Sequence, residues 1–381
     1  MKIAMIGHKR IPSREGGVEI VVEELSKRMV ERGHTVHVFN RKGHHVSGHE
    51  YDDYNLKSKE YNGIRLITIP TPQSKQLNAV IYTFLATCRA LMGKYDVIHY
   101  HAEGPCYMIW LPHLLGIRTI ATIHGLDWQR SKWGGFATKF LLTGEKMAAK
   151  HADEIIVLSE YVQAYFWKTY HRKPVYIPNG IEKKFRKNAD IIKKVYHLEN
   201  DGYILFLARI VPEKGLHYLI EAYQKINTSL KLVIAGGSSH TNGYMNKIKE
   251  MAAEDERILL TGFVEGKLLD ELYSNAYLYV LPSDVEGMPI SLLEAMSYGT
   301  CCLVSDIPEN KAIVEDKAFC FQKGNVADLK EKLNYLLKSM DIVKKYREET
   351  QAFVCKKYNW DDVVDKTIKL YSGETLLRKS T

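Results

Sequence analysis

Short runs rich in β-branched and apolar residues alternate along the chain with longer segments of helical period, the pattern of parallel sheets carrying helices on both faces. The first half predicts strands near residues 2–7, 35–40, 64–69, 97–100, 118–123, 154–158 and 175–177. Helices are expected between them. The clearest, near 18–32, sets Val18, Val21, Val22, Leu25 and Met29 on one face with charges opposite, and Gly33 is placed to end it.

A second series begins after Pro178-Asn179-Gly180, a turn signal, with strands expected near 203–208, 231–235, 258–260, 277–281 and 301–304. The polar stretch 182–201 reads as a linker region, and the segment from Tyr358-Asn359-Trp360-Asp361 onward as a last amphipathic helix. The expectation is an α/β chain of two Rossmann-like domains, 1–180 and 181–357, with 358–381 as a terminal helix. No repeat at solenoid periods and no low-complexity tract interrupts this order.

Composition narrows the class. With 381 residues, 45% hydrophobic and 26% charged, the chain is too long for one compact core and suits two. Six cysteines without a CxxC pair fit neither a disulfide scaffold nor a zinc or dithiol site, so a reducing, cytoplasmic setting is expected. The opening Met1–Gly7 run is too short for a signal peptide. The apolar stretches 78–92 and 106–117 are broken by Arg89 and by Pro112-His113, short of the roughly 18 residues a spanning helix needs.

The net charge of +8 lies wholly in residues 1–180, which hold 24 Lys+Arg against 16 Asp+Glu and twelve of the fifteen histidines. Such a half could face something anionic, a phosphorylated lipid or a membrane surface, or could carry only a scattered solvated charge. No dense basic run marks nucleic-acid binding.

In doubly wound sheets ligands bind beyond the carboxyl ends of the strands. The first such loop runs through Gly16-Gly17 to a helix start, which suits phosphate, although a simple turn would need the same residues. It is not GxGxxG, and the second strand ends in Phe39-Asn40-Arg41 without the acidic residue a ribose would want, so NAD is disfavoured. After the strand at 203–208, Arg209 and Lys214 could offset a diphosphate or simply decorate a solvated loop.

The strongest signal is Glu286-Gly287-Met288-Pro289-Ile290-Ser291-Leu292-Leu293-Glu294. Two carboxylates eight residues apart can bracket a sugar nucleotide, with the backbone of Gly287 to Ile290 turned to phosphate or sugar oxygens. The plainer view makes Glu286 a partner of the helix dipole and Glu294 a surface residue, yet Glu294 stands among apolar neighbours where a carboxylate wants a partner. At the end of the strand 118–123, His124 could donate to a sugar or be structural, and Asp127 and Trp128 could shape a sugar pocket. His44, His45, His49, His99 and His101 lack metal-site spacing and read as solvent or core residues. No GxSxG elbow, P-loop or HExxH is present.

Over nearly its whole length the chain resembles the family-four retaining glycosyltransferases of the GT-B fold. The matching residues are Gly16-Gly17-Val18-Glu19, Asp96 to His101, His124-Gly125, Ile177-Pro178-Asn179-Gly180, Arg209 with Lys214-Gly215, Ala235-Gly236-Gly237, Gly262-Phe263-Val264, and Glu286 to Glu294 with Ala295-Met296 and Gly299. The stretch His124 to Gly134 looks like a bacterial subgroup that builds surface polysaccharides, including rhamnosyltransferases. The resemblance implies two domains facing across a cleft, nucleotide sugar on the second, acceptor on the first, and the last helix crossing back to the first. It implies that Gly16 and Gly17 approach the donor phosphate, that Arg209 and Lys214 bind the diphosphate, that Glu286 contacts the transferred sugar and Glu294 the ribose, and that His124 lies beside the sugar. Gly262 and Phe263 join the donor set. Ala208 departs from the family's usual glycine, a small change. Retention without a covalent enzyme intermediate is implied, with no metal or cofactor, and a glycan or polyprenyl-phosphate-linked acceptor; the charge of the first half leaves open whether it touches the inner face of the membrane or only such an acceptor. The alternatives are a non-catalytic nucleotide-sugar-binding subunit and a GT-B epimerase or phosphorylase.

Overall fold

The computed structural model describes residues 1–42, 59–72, 77–129, 135–237 and 242–374. They divide into two compact units, one formed by Met1–Gly180 with the chain from Trp360 onward, the other by Ile181–Asn359. His44, His45, His49 and the segment Arg130–Gly134 lie outside the described residues.

The first unit is built on β1 (Lys2–Ile6), β2 (Thr35–Arg41), β3 (Glu60–Tyr61), β4 (Ile64–Ile69), β5 (Val97–His101), β6 (Arg118–Ile123), β7 (Glu154–Val157) and β8 (Val175–Tyr176), in the order β3-β4-β2-β1-β5-β6-β7-β8. Every pairing is parallel except that of the short β3, which the hydrophobic pattern does not reveal. The central strands are buried on both faces; β1 accordingly reads as a continuous apolar run, whereas β2 and β5 bury polar residues among the apolar ones, His37 and Asn40 in the first and His99 and His101 in the second. Ile6, Tyr82, Ile98, Tyr100, Cys106, Ile123 and Phe166 belong to one core.

The final helix, Trp360–Tyr371, is part of this unit. Trp360 is 5% exposed, and a Cβ on Gly180 would run into its indole ring. Arg28 lies over that ring, and Arg32 pairs with Asp361 and Asp365. Arg118 donates to the Leu370 carbonyl at 2.9 Å. Tyr371 reaches His99 at the inner end of the same helix.

The second unit holds β9 (Tyr203–Leu207), β10 (Lys231–Ala235), β11 (Ile258–Gly262), β12 (Leu278–Leu281), β13 (Cys302–Ser305) and β14 (Phe319–Phe321) in the order β11-β10-β9-β12-β13-β14, all parallel. The three-residue β14 escapes a reading that needs longer apolar runs. The stretch 182–201 is not a free linker. Its helix Ile191–Tyr196 is capped by the buried Glu271, whose Oε2 accepts from the N–H groups of Asp190, Ile191 and Ile192 at 3.0, 2.6 and 3.1 Å. A distant carboxylate does here what a local cap residue would otherwise do. Among the described residues no helix is long and apolar enough to cross a membrane.

Candidate active site

In the second unit four loops meet at the carboxyl edge of the sheet. Backbone bonds from Ala208 to Ala235, from Ile210 to Gly237 and from Gly236 to Gly262 join the loops after β9, β10 and β11. Asp284 N–H donates to Glu213 O, tying in the loop after β12. Gly215, at φ +64°, ends a short turn containing Lys214; a Cβ there would run into the Pro282 carbonyl.

This packing brings Lys214 to Glu286. Lys214 Nζ stands 2.5 Å from Glu286 Oε1, with the two side chains only 12% and 7% exposed. Ser283 donates to the same oxygen at 2.6 Å, and Ser305 holds Ser283 through its carbonyl. A cation so held sits at the strand ends of the sheet, beside the half-buried Arg209 loop. Its geometry is fixed before any anion arrives, which lowers the reorganisation needed to bind one. Gly287, Met288, Pro289 and Ile290 are buried and lead into the helix Ile290–Ser297, whose N-cap is Pro289. Proline has no N–H, so the backbone donors of this turn come from Gly287, Met288 and Ile290.

Glu294 is 7% exposed and takes a hydrogen bond from Tyr273 Oη at 3.2 Å. That ring stacks on Tyr298, and the next aromatic, Tyr279, bonds Ser291 Oγ at 2.9 Å. Phe263 follows Gly262 and approaches the Gly237 turn. Glu213, 7% exposed, was not singled out by sequence; neither of its carboxylate oxygens meets a donor among the described residues.

In the first unit the carboxyl ends of β1, β5 and β6 gather histidines. His99 and His101 alternate onto one face of β5, and Thr122 and His124 onto the matching face of the β6 edge. His99 bonds Tyr371 Oη at 2.6 Å and Thr122 Oγ1 at 2.7 Å. His101 Nδ1 lies 3.1 Å from His124 Nε2. Burial pushes His99 down to about 3 and His101 well below the ordinary imidazole range, with neighbouring histidines adding to both. The pair His99 and His101 thus belongs to the interior, and among the described residues no group of three or more His, Cys, Asp and Glu could hold a metal ion.

Gly16 precedes the helix Gly17–Glu31, and a Cβ on it would meet the carboxylate of the buried Glu19, which accepts from Lys9 N–H at 2.8 Å. Asp127 opens a short turn, Asp127–Gln129. Trp128 points its Nε1–H at Glu145 Oε2, 3.1 Å away. Tyr165 and Tyr170 donate to the other oxygen of this wholly buried carboxylate at 2.8 and 2.6 Å.

The model of the family described as glycosyltransferase family 4 matches residues 15–185, and that described as glycosyl transferases group 1 matches residues 188–353. The chain belongs to the family 4 glycosyltransferases. Its fold is GT-B, two Rossmann-like domains. An uncharacterized glycosyltransferase of Methanocaldococcus jannaschii is 25% identical, over 97% of this chain and 98% of its own. An Escherichia coli UDP-Gal:alpha-D-GlcNAc-diphosphoundecaprenol alpha-1,3-galactosyltransferase is 26% identical over 59% of this chain and 61% of its own. Among solved structures, Anabaena HepE in complex with UDP and glucose matches 98% of this chain and 100% of its own, with a TM-score of 0.80 at 15% identity. In this glycosyltransferase the residues that the sequence did not place at a site are His101, read only as a solvent or core residue, and Glu145 and Glu213, which were not singled out. The His-x-His alternation on a predicted strand is the one signal that could have drawn attention to the first.

Proposed function

We propose that this glycosyltransferase moves a hexosyl or deoxyhexosyl group from a nucleoside-diphosphate sugar to a glycan or lipid-linked acceptor, with retention, in bacterial cell-surface polysaccharide synthesis. The observation that carries the reading is the Lys214–Glu286 contact at the strand ends of the second unit. Lys214 and Arg209 offset the charge that grows on the leaving diphosphate, which does the work a metal would otherwise do. Glu286 and the Gly287–Ile290 turn receive the transferred sugar, Glu294 accepts from the ribose, Gly262 and Phe263 border the donor, and Gly16, Gly17 and His124 act from the first unit. In the transfer, the bond from the anomeric carbon to the phosphate oxygen breaks as the acceptor oxygen bonds to that carbon on the same face. The acceptor proton passes to a departing phosphate oxygen. The UDP and glucose held by HepE support the donor class.

The acceptor belongs to the first unit. Its basic excess suits a phosphorylated acceptor. A cavity of about 280 Å³ there is lined wholly by Val80, Ile81, Phe84, Leu85, Tyr107 and Met108, and Phe84 is 53% exposed, so hydrocarbon can reach it. The diphosphoundecaprenol acceptor of the E. coli relative has both parts. The protein would then work at the inner face of the membrane without spanning it.

The test is incubation with UDP-, dTDP- and GDP-sugars and a polyprenyl-diphosphate-linked saccharide, with the product linkage read by proton NMR coupling. The expected result is a new glycosidic bond of the donor's own anomeric configuration with one donor class. Release of no nucleoside diphosphate from any donor, or epimerisation without acceptor, would contradict it.

A further inference from the structure

The buried imidazoles of the first unit carry enough hydrogen-bond information to say which nitrogens hold protons. His8 shows the rule. Asn40 Oδ1 accepts from Ile11 N–H at 3.1 Å while Asn40 Nδ2 donates to Ile11 O at 3.0 Å, which fixes the amide's orientation. The Oδ1 that faces His8 Nε2 at 3.0 Å is therefore an acceptor, and His8 must donate from Nε2. Its other nitrogen, Nδ1, is buried and meets no partner among the described residues. The nitrogen left unpaired is the bare lone pair. That is the cheaper choice, because a buried N–H without an acceptor is rarer and costlier than an under-used acceptor.

His101 presents the same choice. Its Nδ1 faces His124 Nε2 at 3.1 Å, and its Nε2 is buried without a hydrogen-bond partner among the described residues. If His124 donated, the neutral His101 would have to carry its proton on Nε2 and bury an orphan N–H. If His101 donates from Nδ1, only a lone pair is left unpaired. The ring cannot turn to escape, because it lies on His99, ring centroids 4.1 Å apart, and His99 is itself held at both nitrogens by Tyr371 and Thr122.

We infer that His101 is a positioning residue that fixes His124 in the tautomer protonated on Nδ1, so that His124 meets substrate as a hydrogen-bond donor through that nitrogen rather than as a base. The substrate half of this statement rests on the transferase reading; the tautomer half does not. The same arrangement disfavours the imidazolium form of His124, since its extra Nε2–H would force the orphan N–H onto His101. Tyr371 of the last helix is three contacts from His124, through His99 and His101.

The direct test is a long-range proton–nitrogen NMR spectrum of the full chain labelled with ¹⁵N-histidine. Signals of His101 and His124 are assigned by their loss in His101→Asn and His124→Asn. Nδ1 of both residues should be of the protonated type and Nε2 of both of the bare type. A protonated Nε2 on His124 overturns the inference, whether or not any transfer activity has been found. The functional arm compares His101→Leu with His101→Asn, whose amide can place an N–H near the lost Nδ1. His101→Leu should lower kcat by roughly 10- to 100-fold, the size seen when the hydrogen-bond partner that orients a metal-ligating histidine is removed, with the donor KM nearly unchanged. His101→Asn should recover most of it. Wild-type kcat in His101→Leu, or equal losses in two folded variants, contradicts a positioning role.

Discussion

Lys214 Nζ and Glu286 Oε1 are 2.5 Å apart, and the two side chains come from loops that follow different strands of the same sheet. Neither does its proposed work alone. Without Glu286 the ammonium loses this contact, and without Lys214 the carboxylate keeps Ser283 as a side-chain hydrogen-bond donor. Lys214→Ala and Glu286→Ala should each lower kcat/KM at least about 100-fold, as loss of a preorganised charge does, with circular dichroism unchanged. The double variant should be little worse than either single one, because groups that act as a unit give non-additive losses. Losses that multiply would mean that the two act independently.

Tyr273 supports Glu294 through one hydroxyl. Tyr273→Phe removes that donor and keeps the ring stacked on Tyr298, costing about 1 kcal/mol of positioning. If Glu294 holds the ribose, the donor KM should rise roughly five-fold with kcat unchanged. A fall in kcat at constant KM, measured by initial rates, would move Glu294 to the reacting end of the donor.

Acid should destabilise the chain through its buried histidines. Burial lowers His8 to about 4, His37 to about 4 and His99 to about 3, while in the unfolded chain each titrates near 6.5. Between those values the unfolded state binds more protons, so stability falls as pH falls from 7 towards 4, by on the order of 1–2 kcal/mol per histidine at pH 5. The melting temperature should drop from pH 7 to pH 5, with proton uptake on unfolding measured by calorimetry in two buffers. His8→Gln, which keeps a donor for Asn40 but cannot titrate, should shallow the slope; an unchanged slope would take His8 out of the account.

Gly180 and Trp360 touch where the two ends of the first unit meet. Gly180→Ala forces the indole to move and should lower the melting temperature, whereas Trp360→Ala should cost about 3–5 kcal/mol as a buried aromatic lost to a cavity. In a Trp360→Leu background the added Gly180→Ala methyl should cost much less than in wild type. Equal costs in both backgrounds, read from thermal melts, would show that the two residues are uncoupled.

The parallel strands and the loops that carry Arg209, Lys214, Glu286 and Glu294 are legible because each is a local pattern: an apolar run, then a turn, then a helix start. β3 and β14 are not, being two and three residues long. The stretch 182–201 looks like a linker because its cap is Glu271, about eighty residues away. Trp128 reads as a pocket wall, but nothing near it in sequence announces Glu145 as the acceptor for its indole. His101 and His124 are separated by 23 residues and meet only through the β5–β6 register. What sequence misses here is long-range partnership rather than residue type.

The central claim is a nucleoside-diphosphate site that uses Lys214. Thermal unfolding of wild type and Lys214→Ala with UDP, dTDP, GDP and NAD at matched concentrations tests it most directly, since a ligand at 100 times its dissociation constant adds about 2.7 kcal/mol. One nucleoside diphosphate should raise the melting temperature of wild type and fail to raise that of Lys214→Ala. A shift with NAD alone, or an equal shift in both proteins, would contradict the account.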